Sequence, residues 1–398
     1  MINVLVVSNL LPSVAQPGRG APLWNYVKHL SRIARVSGIG ARHYAAPFSR
    51  SPLQRAVWAT PRQEVFDGVT IAHPRYLVIP RVARGVQGWS YRAMLARQLD
   101  ALPADQRPDV ILSLWAYPDA YAAVLEGHRR GIPVVAMVIG SDVNALPAMG
   151  LEPQVRTALT EADRVITVCE DLRRVVESLG AHPRRTDVVL NGVELERFQP
   201  GSRAEARRAL GLASDEDIVL CLGNLYPVKG PDVLLAAWPE VLLRRPSARL
   251  VFVGDGPMQA TLRQRARVLG IDDRVTFAGR RPHEEVPLWH QAANVTAIPS
   301  RSEGIPNVLL EALACGTPVV ATRVGGIPEA LPERGAGTLV PKEDPRSLAA
   351  AITDTIGLGL EPRSVRAVSQ LHPWSDAAAL MLESLERAIA ERKARARE

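Results

Sequence analysis

The chain has 398 residues, of which 47% are hydrophobic and 22% charged. This composition excludes a disordered chain, and the length exceeds what one hydrophobic core usually supports, so two domains are expected. The net charge of +7 favours anionic partners such as nucleotides, phosphates or acidic lipids, although an ordinary solubilising surface gives the same excess.

The first half of the chain alternates short apolar runs with helical patterns. Strands are predicted at 4–8, 69–72, 110–114, 134–138, 165–168 and 188–190, and helices at 22–35, 88–102 and 171–179. Fully apolar strands that alternate with helices are typical of a parallel sheet covered on both faces. The run at 4–8 therefore indicates a first strand rather than a signal peptide, and no apolar stretch is long enough to span a membrane.

The strand pattern restarts after a turn-rich segment at 191–200. The second set of strands is predicted at 218–222, 250–253, 275–278, 295–298, 318–321 and 338–340, and a final helix at about 375–390. We expect an N-terminal domain (1–195), a C-terminal domain (196–372) and a C-terminal helix with a charged tail (373–398) that packs back on the first domain. The predicted fold class is α/β, with two Rossmann-like, doubly wound domains facing a central cleft.

Two glutamates in the pattern Glu-x7-Glu mark the strongest candidate site. Glu303 lies in a loop after a predicted strand, and Glu311 lies inside an apolar helix that begins near Pro306 and ends at Gly316. A buried carboxylate needs a partner, which sugar hydroxyls would supply, and the helix N-terminus suits a diphosphate. The alternative is a carboxylate that complements the helix dipole together with a salt-bridged glutamate.

Two further glycine loops precede predicted helices. Lys229 follows the loop at Gly223 and directly precedes a helix start, which is a suitable place for a phosphate-binding cation. Gly18 and Gly20 form a similar loop after the first strand and would allow close approach of a phosphate. A surface lysine and a plain flexible loop are the respective alternatives.

On these motifs the chain resembles the retaining enzymes of glycosyltransferase family 4, which have the GT-B fold. The similarity covers essentially the whole chain and is densest at 223–329, which contains the Glu-x7-Glu segment and the stretch Gly-Gly-Ile-Pro-Glu at 325–329. The stretch Asn-Gly-Val-Glu-Leu-Glu-Arg-Phe at 191–198 resembles the family's interdomain junction.

The resemblance implies transfer of a sugar from a nucleoside-diphosphate sugar, with a uridine nucleotide expected. It also implies that the domain at 1–195 lies on the acceptor side and that the domain at 196–372 binds the nucleotide sugar. Glu303 would hold the donor sugar and, with Lys229, act in catalysis, and Glu311 would hold the ribose hydroxyls. The donor site would also include Gly223, Asn224, Arg280, Gly304, Ile305, Pro306, Asn307, Val308, Gly18 and Gly20. Ser141 and Asp142 would lie on the acceptor side, although Asp142 is equally well interpreted as a helix N-cap or turn residue.

Two positions depart from the family pattern. Asn224 stands where many members have arginine, so diphosphate binding would depend on Lys229 or on another cation, and Ile139 stands where many members have histidine. These departures motivate the alternative of a non-catalytic scaffold or regulatory subunit with the same fold. No Asp-x-Asp metal pair stands out in a suitable loop, so we expect a metal-independent reaction with no cofactor beyond the nucleotide-sugar co-substrate. The candidate replacement cations are Arg19, Arg280 and Arg301.

The acceptor and the location of the protein are less constrained. Cations alternate with apolar residues at 75–84 and recur with aromatics at Trp89, Tyr91, Arg92 and Arg97. Such a surface would rest on anionic lipid and collect a lipid-linked or polysaccharide precursor, although an ordinary surface has the same composition. Widely spaced cysteines without a Cys-x-x-Cys pair favour a reducing compartment, so we expect a cytoplasmic protein, either free or at the inner face of the membrane. We expect no nucleic-acid partner.

Overall fold

The computed structural model describes residues 1–44, 51–78, 84–144 and 149–397. The chain forms two compact units, one comprising Met1–Asn191 with Trp374–Glu398 and the other Gly192–Pro373. The chain therefore enters the second unit at Gly192, where the sequence pattern puts the boundary at 195/196, and returns to the first unit at Trp374.

The strands in chain order are β1 (Asn3–Val7), β2 (Arg35–Ile39), β3 (Arg42–His43), β4 (Gln63–Phe66), β5 (Val69–Ala72), β6 (Arg75–Tyr76), β7 (Val110–Ser113), β8 (Val134–Val138), β9 (Arg164–Thr167), β10 (Thr186–Val188), β11 (Ile218–Leu222), β12 (Arg249–Val253), β13 (Val275–Gly279), β14 (Val295–Ile298), β15 (Val319–Thr322) and β16 (Gly337–Val340).

The helices in chain order are α1 (Ala21–Leu30), α2 (Pro52–Ala59), α3 (Arg84–Asp100), α4 (Tyr121–Arg130), α5 (Ser141–Asn144), α6 (Glu152–Thr160), α7 (Glu170–Ser178), α8 (Arg203–Leu210), α9 (Pro231–Arg244), α10 (Gln259–Val268), α11 (Val286–Ala292), α12 (Asn307–Ala314), α13 (Ile327–Ala330), α14 (Pro345–Gly357), α15 (Pro362–Val368) and α16 (Trp374–Arg395). No helix within the described ranges is long and apolar enough to cross a membrane.

The first unit is built on a sheet that, over the described residues, has eight strands in the order β10-β9-β8-β7-β1-β2-β5-β4. All its pairings are parallel except β4 with β5. The C-terminal helix α16 belongs to this unit: the Trp374 ring contacts Tyr26 edge-on at 4.9 Å, and the Arg164 guanidinium lies 2.6 Å from the Glu391 carboxylate. A buried aromatic contact and a partly buried ion pair thus hold the end of the chain against the first unit.

The second unit is built on a parallel sheet whose described strands have the order β13-β12-β11-β14-β15-β16. Its core includes Trp238, Leu234 and Phe252, which are fully buried. From β11 the chain adds β12 and β13 on one side and β14 to β16 on the other, so the strand order reverses between β11 and β14. Open parallel sheets bind ligands at such a point, beyond the carboxyl ends of the strands.

The predicted α/β class with parallel sheets is confirmed, and four strands, 69–72, 134–138, 218–222 and 295–298, have the predicted bounds. The helix predicted at 22–35 is wrong at its end, because α1 stops at Leu30 and Arg35 starts β2. A Cβ at Gly38 of β2 would lie 3.1 Å from Leu11 and 3.3 Å from Ile71. This strand therefore needs a small residue for packing, and the glycine interrupts the apolar run by which a strand is recognised.

Candidate functional site

Two loops of the second unit meet where the strand order reverses. One follows β11 and ends at Gly230, and the other follows β14 and begins at Pro299. Gly230 has a φ of +62°, and a Cβ there would lie 2.0 Å from the Pro299 carbonyl oxygen. Only glycine fits this position, so the contact between the loops is fixed by the backbone.

The contact brings together Lys229 and Glu303. The Lys229 ammonium lies 2.7 and 2.8 Å from the two carboxylate oxygens of Glu303, and the hydroxyl of buried Ser300 donates to the same carboxylate at 2.7 Å. The Glu303 side chain is 9% exposed, whereas that of Lys229 is 40% exposed. The carboxylate is therefore held in place, while the cation keeps a face open to an anion from solvent.

The Glu303 loop packs against the glycines at 325–326. Gly325 has a φ of +54°, and a Cβ there would lie 2.0 Å from the Glu303 carbonyl oxygen. The Gly326 N–H donates to the Gly304 carbonyl at 2.9 Å. Helix α12 begins at Asn307, directly after this loop, so the partial positive charge of its N-terminus lies a few residues from Glu303.

Glu311 lies on α12, and its side chain is 12% exposed. The His283 ring, in the loop after β13, is hydrogen-bonded through Nε2 to Glu311 Oε1 at 3.2 Å. The other ring nitrogen, Nδ1, lies 2.9 Å from the Arg197 guanidinium. The Glu311 carboxylate raises the pKa of His283 above its ordinary value, whereas burial of the ring and Arg197 lower it.

The remaining residues predicted for the donor site lie in or beside neighbouring loops. Gly223 and Asn224 follow β11, and the Asn224 side chain is exposed. Arg280 follows β13 and pairs with Asp255 at 3.0 Å, with 74% of its side chain exposed. Gly304, Ile305 and Pro306 lead into α12, and Asn307 and Val308 are its first two residues.

Of the three cations considered as replacements at position 224, Arg301 is engaged in the protein itself. Its guanidinium binds Asp232 at 2.9 Å and also contacts Glu343, and its backbone N–H donates to the Val228 carbonyl at 2.8 Å. Arg301 therefore ties the Lys229 loop to the Glu303 loop. Arg19 belongs to the first unit, where it donates to Gln16 at 2.8 Å.

The candidate residues of the first unit have clear structural contacts. Asp142 is fully buried, and its carboxylate accepts hydrogen bonds from the backbone N–H groups of Ile139 at 3.1 Å, Gly140 at 3.0 Å and Ala116 at 3.3 Å. Burial raises the pKa of Asp142 to about 6. These contacts are those of a turn residue, the alternative considered for it, while the adjacent Ser141 is exposed.

The two glycines before α1 differ. Gly20 has a φ of +61°, and a Cβ there would lie 2.3 Å from the Leu10 carbonyl oxygen, whereas a Cβ at Gly18 would meet nothing within 4 Å. Packing within the first unit therefore accounts for Gly20 without a ligand. Over the described ranges, no group of three or more His, Cys, Asp and Glu side chains is arranged to hold a metal ion.

The sequence interpretation missed Ser300 and His283. Ser300 precedes Glu303 by three residues in one loop, a spacing at which a hydroxyl often reaches a neighbouring acceptor, so a local signal existed. His283 lies 28 residues from Glu311 in the chain, and no local spacing connects the two. Their meeting depends on the order of the strands.

Comparisons with known proteins agree with this architecture. Residues 25–197 match "Glycosyltransferase Family 4" and residues 202–366 match "Glycosyl transferases group 1". A D-inositol 3-phosphate glycosyltransferase of Acidothermus cellulolyticus is 34% identical over 359 residues, which cover 79% of this chain and 80% of the relative. One from Mycobacterium tuberculosis is 39% identical over 67% of this chain and 59% of the relative. The chain thus spans about three fifths of the length of some of the relatives it matches.

Solved structures share the fold at low identity. HepE of Anabaena in complex with UDP has a TM-score of 0.73 at 20% identity, with 97% of this chain and 100% of that chain covered. Sucrose-phosphate synthase of Thermosynechococcus elongatus has a TM-score of 0.69 at 21% identity, with 99% and 98% covered. The GT-B fold expected from the sequence is thereby confirmed. The chain belongs to glycosyltransferase family 4, the group 1 glycosyltransferases.

Proposed function

We propose that this chain transfers a glycosyl residue from a nucleoside-diphosphate sugar, with UDP as the nucleotide, to a hydroxyl acceptor. The observation that carries the proposal is the Lys229–Glu303 pair beside the N-terminus of α12. A cation and a helix dipole stabilise a diphosphate, and a fixed carboxylate accepts hydrogen bonds from sugar hydroxyls. The UDP seen in HepE of Anabaena supports the choice of nucleotide.

In this proposal, different residues bind different parts of the donor. Lys229 and the first turn of α12 hold the diphosphate, Glu303 binds hydroxyls of the sugar, and Glu311 binds the ribose hydroxyls. Gly223, Asn224 and Arg280 border the nucleotide from the neighbouring loops. This order follows the chain from Glu303 through the helix start to Glu311, so one segment contacts the sugar, the phosphates and the ribose.

The chemical step that we propose retains the configuration of the sugar. The bond between the anomeric carbon and the diphosphate oxygen breaks with its electron pair going to that oxygen. The acceptor hydroxyl then forms a bond to the same face of the anomeric carbon and gives its proton to the departing phosphate. Lys229 and α12 place positive potential where negative charge develops, which is the usual means of stabilising such a transition state. No protein nucleophile is assigned.

A panel of nucleotide sugars tests the proposal. The purified chain is incubated with UDP- and GDP-linked hexoses, and release of the nucleotide is followed with and without acceptors. Release above the background of a Lys229→Ala variant is expected for UDP-linked donors. A wild-type chain that neither binds nor turns over any of the donors would contradict the proposal and favour the non-catalytic scaffold.

For the acceptor, we propose a lipid-linked or polysaccharide precursor that is reached at an anionic membrane surface. Trp58 is 36% exposed and Trp89 is 60% exposed, and the Arg75 guanidinium lies 4.1 Å from the centroid of the Trp58 ring. Aromatic side chains beside cations suit the interface of an anionic bilayer. Tyr91 does not belong to this surface, because it is fully buried, and the stretch at 79–83 lies outside the described residues.

The names of the relatives favour a second acceptor class, a phosphorylated inositol. Offering inositol phosphates and lipid-linked precursors side by side distinguishes the two. Co-sedimentation with vesicles of phosphatidylglycerol and of phosphatidylcholine, for the wild-type chain and a Trp58→Ala, Trp89→Ala double variant, tests the surface. Equal sedimentation with both kinds of vesicle would remove the membrane proposal.

A further inference from the structure

We propose that His283 is a positioning residue for the Glu311 carboxylate and that Arg197 fixes the tautomer in which His283 does so. This inference rests on the proposed function, in which Glu311 binds the ribose hydroxyls of the donor. The observation behind it is a chain of polar contacts that runs from Glu194 to Glu311 within the second unit. None of these contacts follows from the Glu-x7-Glu motif.

The contacts alternate between donors and acceptors. The Glu194 carboxylate lies 3.1 Å from Arg197 Nε, and Arg197 Nη1 lies 2.9 Å from His283 Nδ1. A guanidinium only donates hydrogen bonds, so His283 Nδ1 accepts and the ring proton is on Nε2. The Nε2–H group then donates to Glu311 Oε1, 3.2 Å away. Arg197 therefore sets which ring nitrogen faces the carboxylate with a proton.

The His283 ring is also held by packing. The ring of buried Phe198 contacts it edge-on, with the ring centroids 5.5 Å apart. The Phe198 carbonyl in turn accepts a hydrogen bond of 2.7 Å from Arg366. The ring that donates to Glu311 is thus fixed from two sides, by a hydrogen bond at Nδ1 and by an aromatic edge.

The donated hydrogen bond leaves the carboxylate available to a ligand. It uses one lone pair of Oε1, and Oε2 has no hydrogen-bond partner within the part of the chain that the structure describes. A carboxylate offers about four acceptor directions, so about three remain for the two vicinal hydroxyls of a ribose. A side chain that is ordered before the ligand arrives loses less entropy on binding.

Nucleotide binding measured by calorimetry tests the inference, with whichever of UDP and GDP the wild-type chain binds more tightly. His283→Ala is expected to weaken binding about three- to tenfold, as for one hydrogen bond and the loss of preorganisation. His283→Gln, which keeps an amide N–H near the position of Nε2, is expected to recover most of the affinity. Glu284→Ala, at the exposed neighbouring position, is the control and should bind as the wild type does.

A positioning role makes two further demands that a purely structural role does not. The loss caused by His283→Ala should disappear in a Glu311→Ala background and should also disappear for the 2′,3′-dideoxy nucleotide, which lacks the ribose hydroxyls. His283→Leu, which keeps apolar volume beside Phe198, should behave as His283→Ala does, and it replaces that variant if alanine lowers the melting temperature.

The outcomes separate this inference from the proposed function. Weaker binding in Glu311→Ala together with unchanged binding in His283→Ala and His283→Leu would overturn the inference and leave the ribose assignment standing. Unchanged binding in Glu311→Ala would overturn the ribose assignment itself, and the role of His283 with it. An equal loss for nucleotide and dideoxy nucleotide in the His283 variants would show that the residue acts on the fold rather than on the ribose.

Discussion

Replacement of Lys229 by alanine is the most direct perturbation of the candidate site. The ammonium lies 2.7 and 2.8 Å from the Glu303 oxygens, and the Lys229 side chain is 40% exposed. Two unit charges 4 Å apart attract by about 1 kcal/mol in water and about 4 kcal/mol near a protein surface. Because solvent screens the exposed part, we expect Lys229→Ala to cost about 1–2 kcal/mol of UDP affinity, or roughly 5- to 30-fold in Kd.

The partner variant changes affinity in the opposite direction. Glu303→Gln removes the carboxylate that competes with the diphosphate for Lys229, while Ser300 can still donate to the amide oxygen. We therefore expect UDP alone to bind up to a few-fold more tightly and sugar transfer to fall, since the sugar hydroxyls lose a charged acceptor. A general loss of structure would instead weaken both UDP binding and sugar transfer.

Isothermal titration with UDP at low and high ionic strength measures these effects. Lys342→Ala, at an exposed lysine of the same unit, controls for the loss of one positive charge. The salt dependence of UDP binding should fall in Lys229→Ala and stay unchanged in Lys342→Ala. Equal Kd values for the wild-type chain and Lys229→Ala would refute the reasoning, whatever the result for Glu303→Gln.

Three other outcomes are expected. Transfer should persist in excess EDTA, and a complete loss that added Mg²⁺ restores would contradict the metal-independent mechanism. Asn224→Arg, at an exposed position in the loop that carries Lys229, should tighten UDP binding about threefold, and weaker binding would show that the asparagine has a contact of its own. Burial raises the pKa of Asp119 to about 7, so the folded chain retains this proton more strongly than the unfolded chain and stability falls as the pH rises from about 4 to about 7. Asp119→Asn should remove about 1 kcal/mol per pH unit of that slope in urea unfolding, and an unchanged slope would show that Asp119 stays ionised.

The fold could be predicted from the sequence because its parallel strands are buried and therefore appear as apolar runs. Strand β8, whose residues are all buried, has the predicted bounds. Strand β2 has the burial pattern of a half-exposed strand with a glycine, and the sequence pattern predicts no strand there, only a helix that ends at its first residue, Arg35. Local patterns thus identify the central strands and fail at strands whose packing depends on distant neighbours.

The contacts of the candidate site also differ in how far they could be predicted from the sequence. Residues that share one loop, such as Glu303 and Gly304, could be predicted together from their spacing. The Lys229–Glu303 contact joins residues 74 positions apart, and it could be expected only from the rule that the carboxyl ends of parallel strands lie at one edge. The contact between His283 and Glu311 required in addition the order of β13 relative to β14, which no spacing encodes.

The two glutamates share one physical arrangement. Each carboxylate accepts hydrogen bonds from within the protein, Glu303 from an ammonium and a hydroxyl and Glu311 from an imidazole N–H. A residue that acts through a carboxylate has no effect once that carboxylate is removed, so the His283 and Glu311 substitutions should be non-additive. Lys229 differs, because in the proposed function it contacts the diphosphate directly as well as Glu303, and its substitution should still weaken UDP binding in a Glu303→Gln background. This asymmetry separates a group that touches the donor from one that only orients another group.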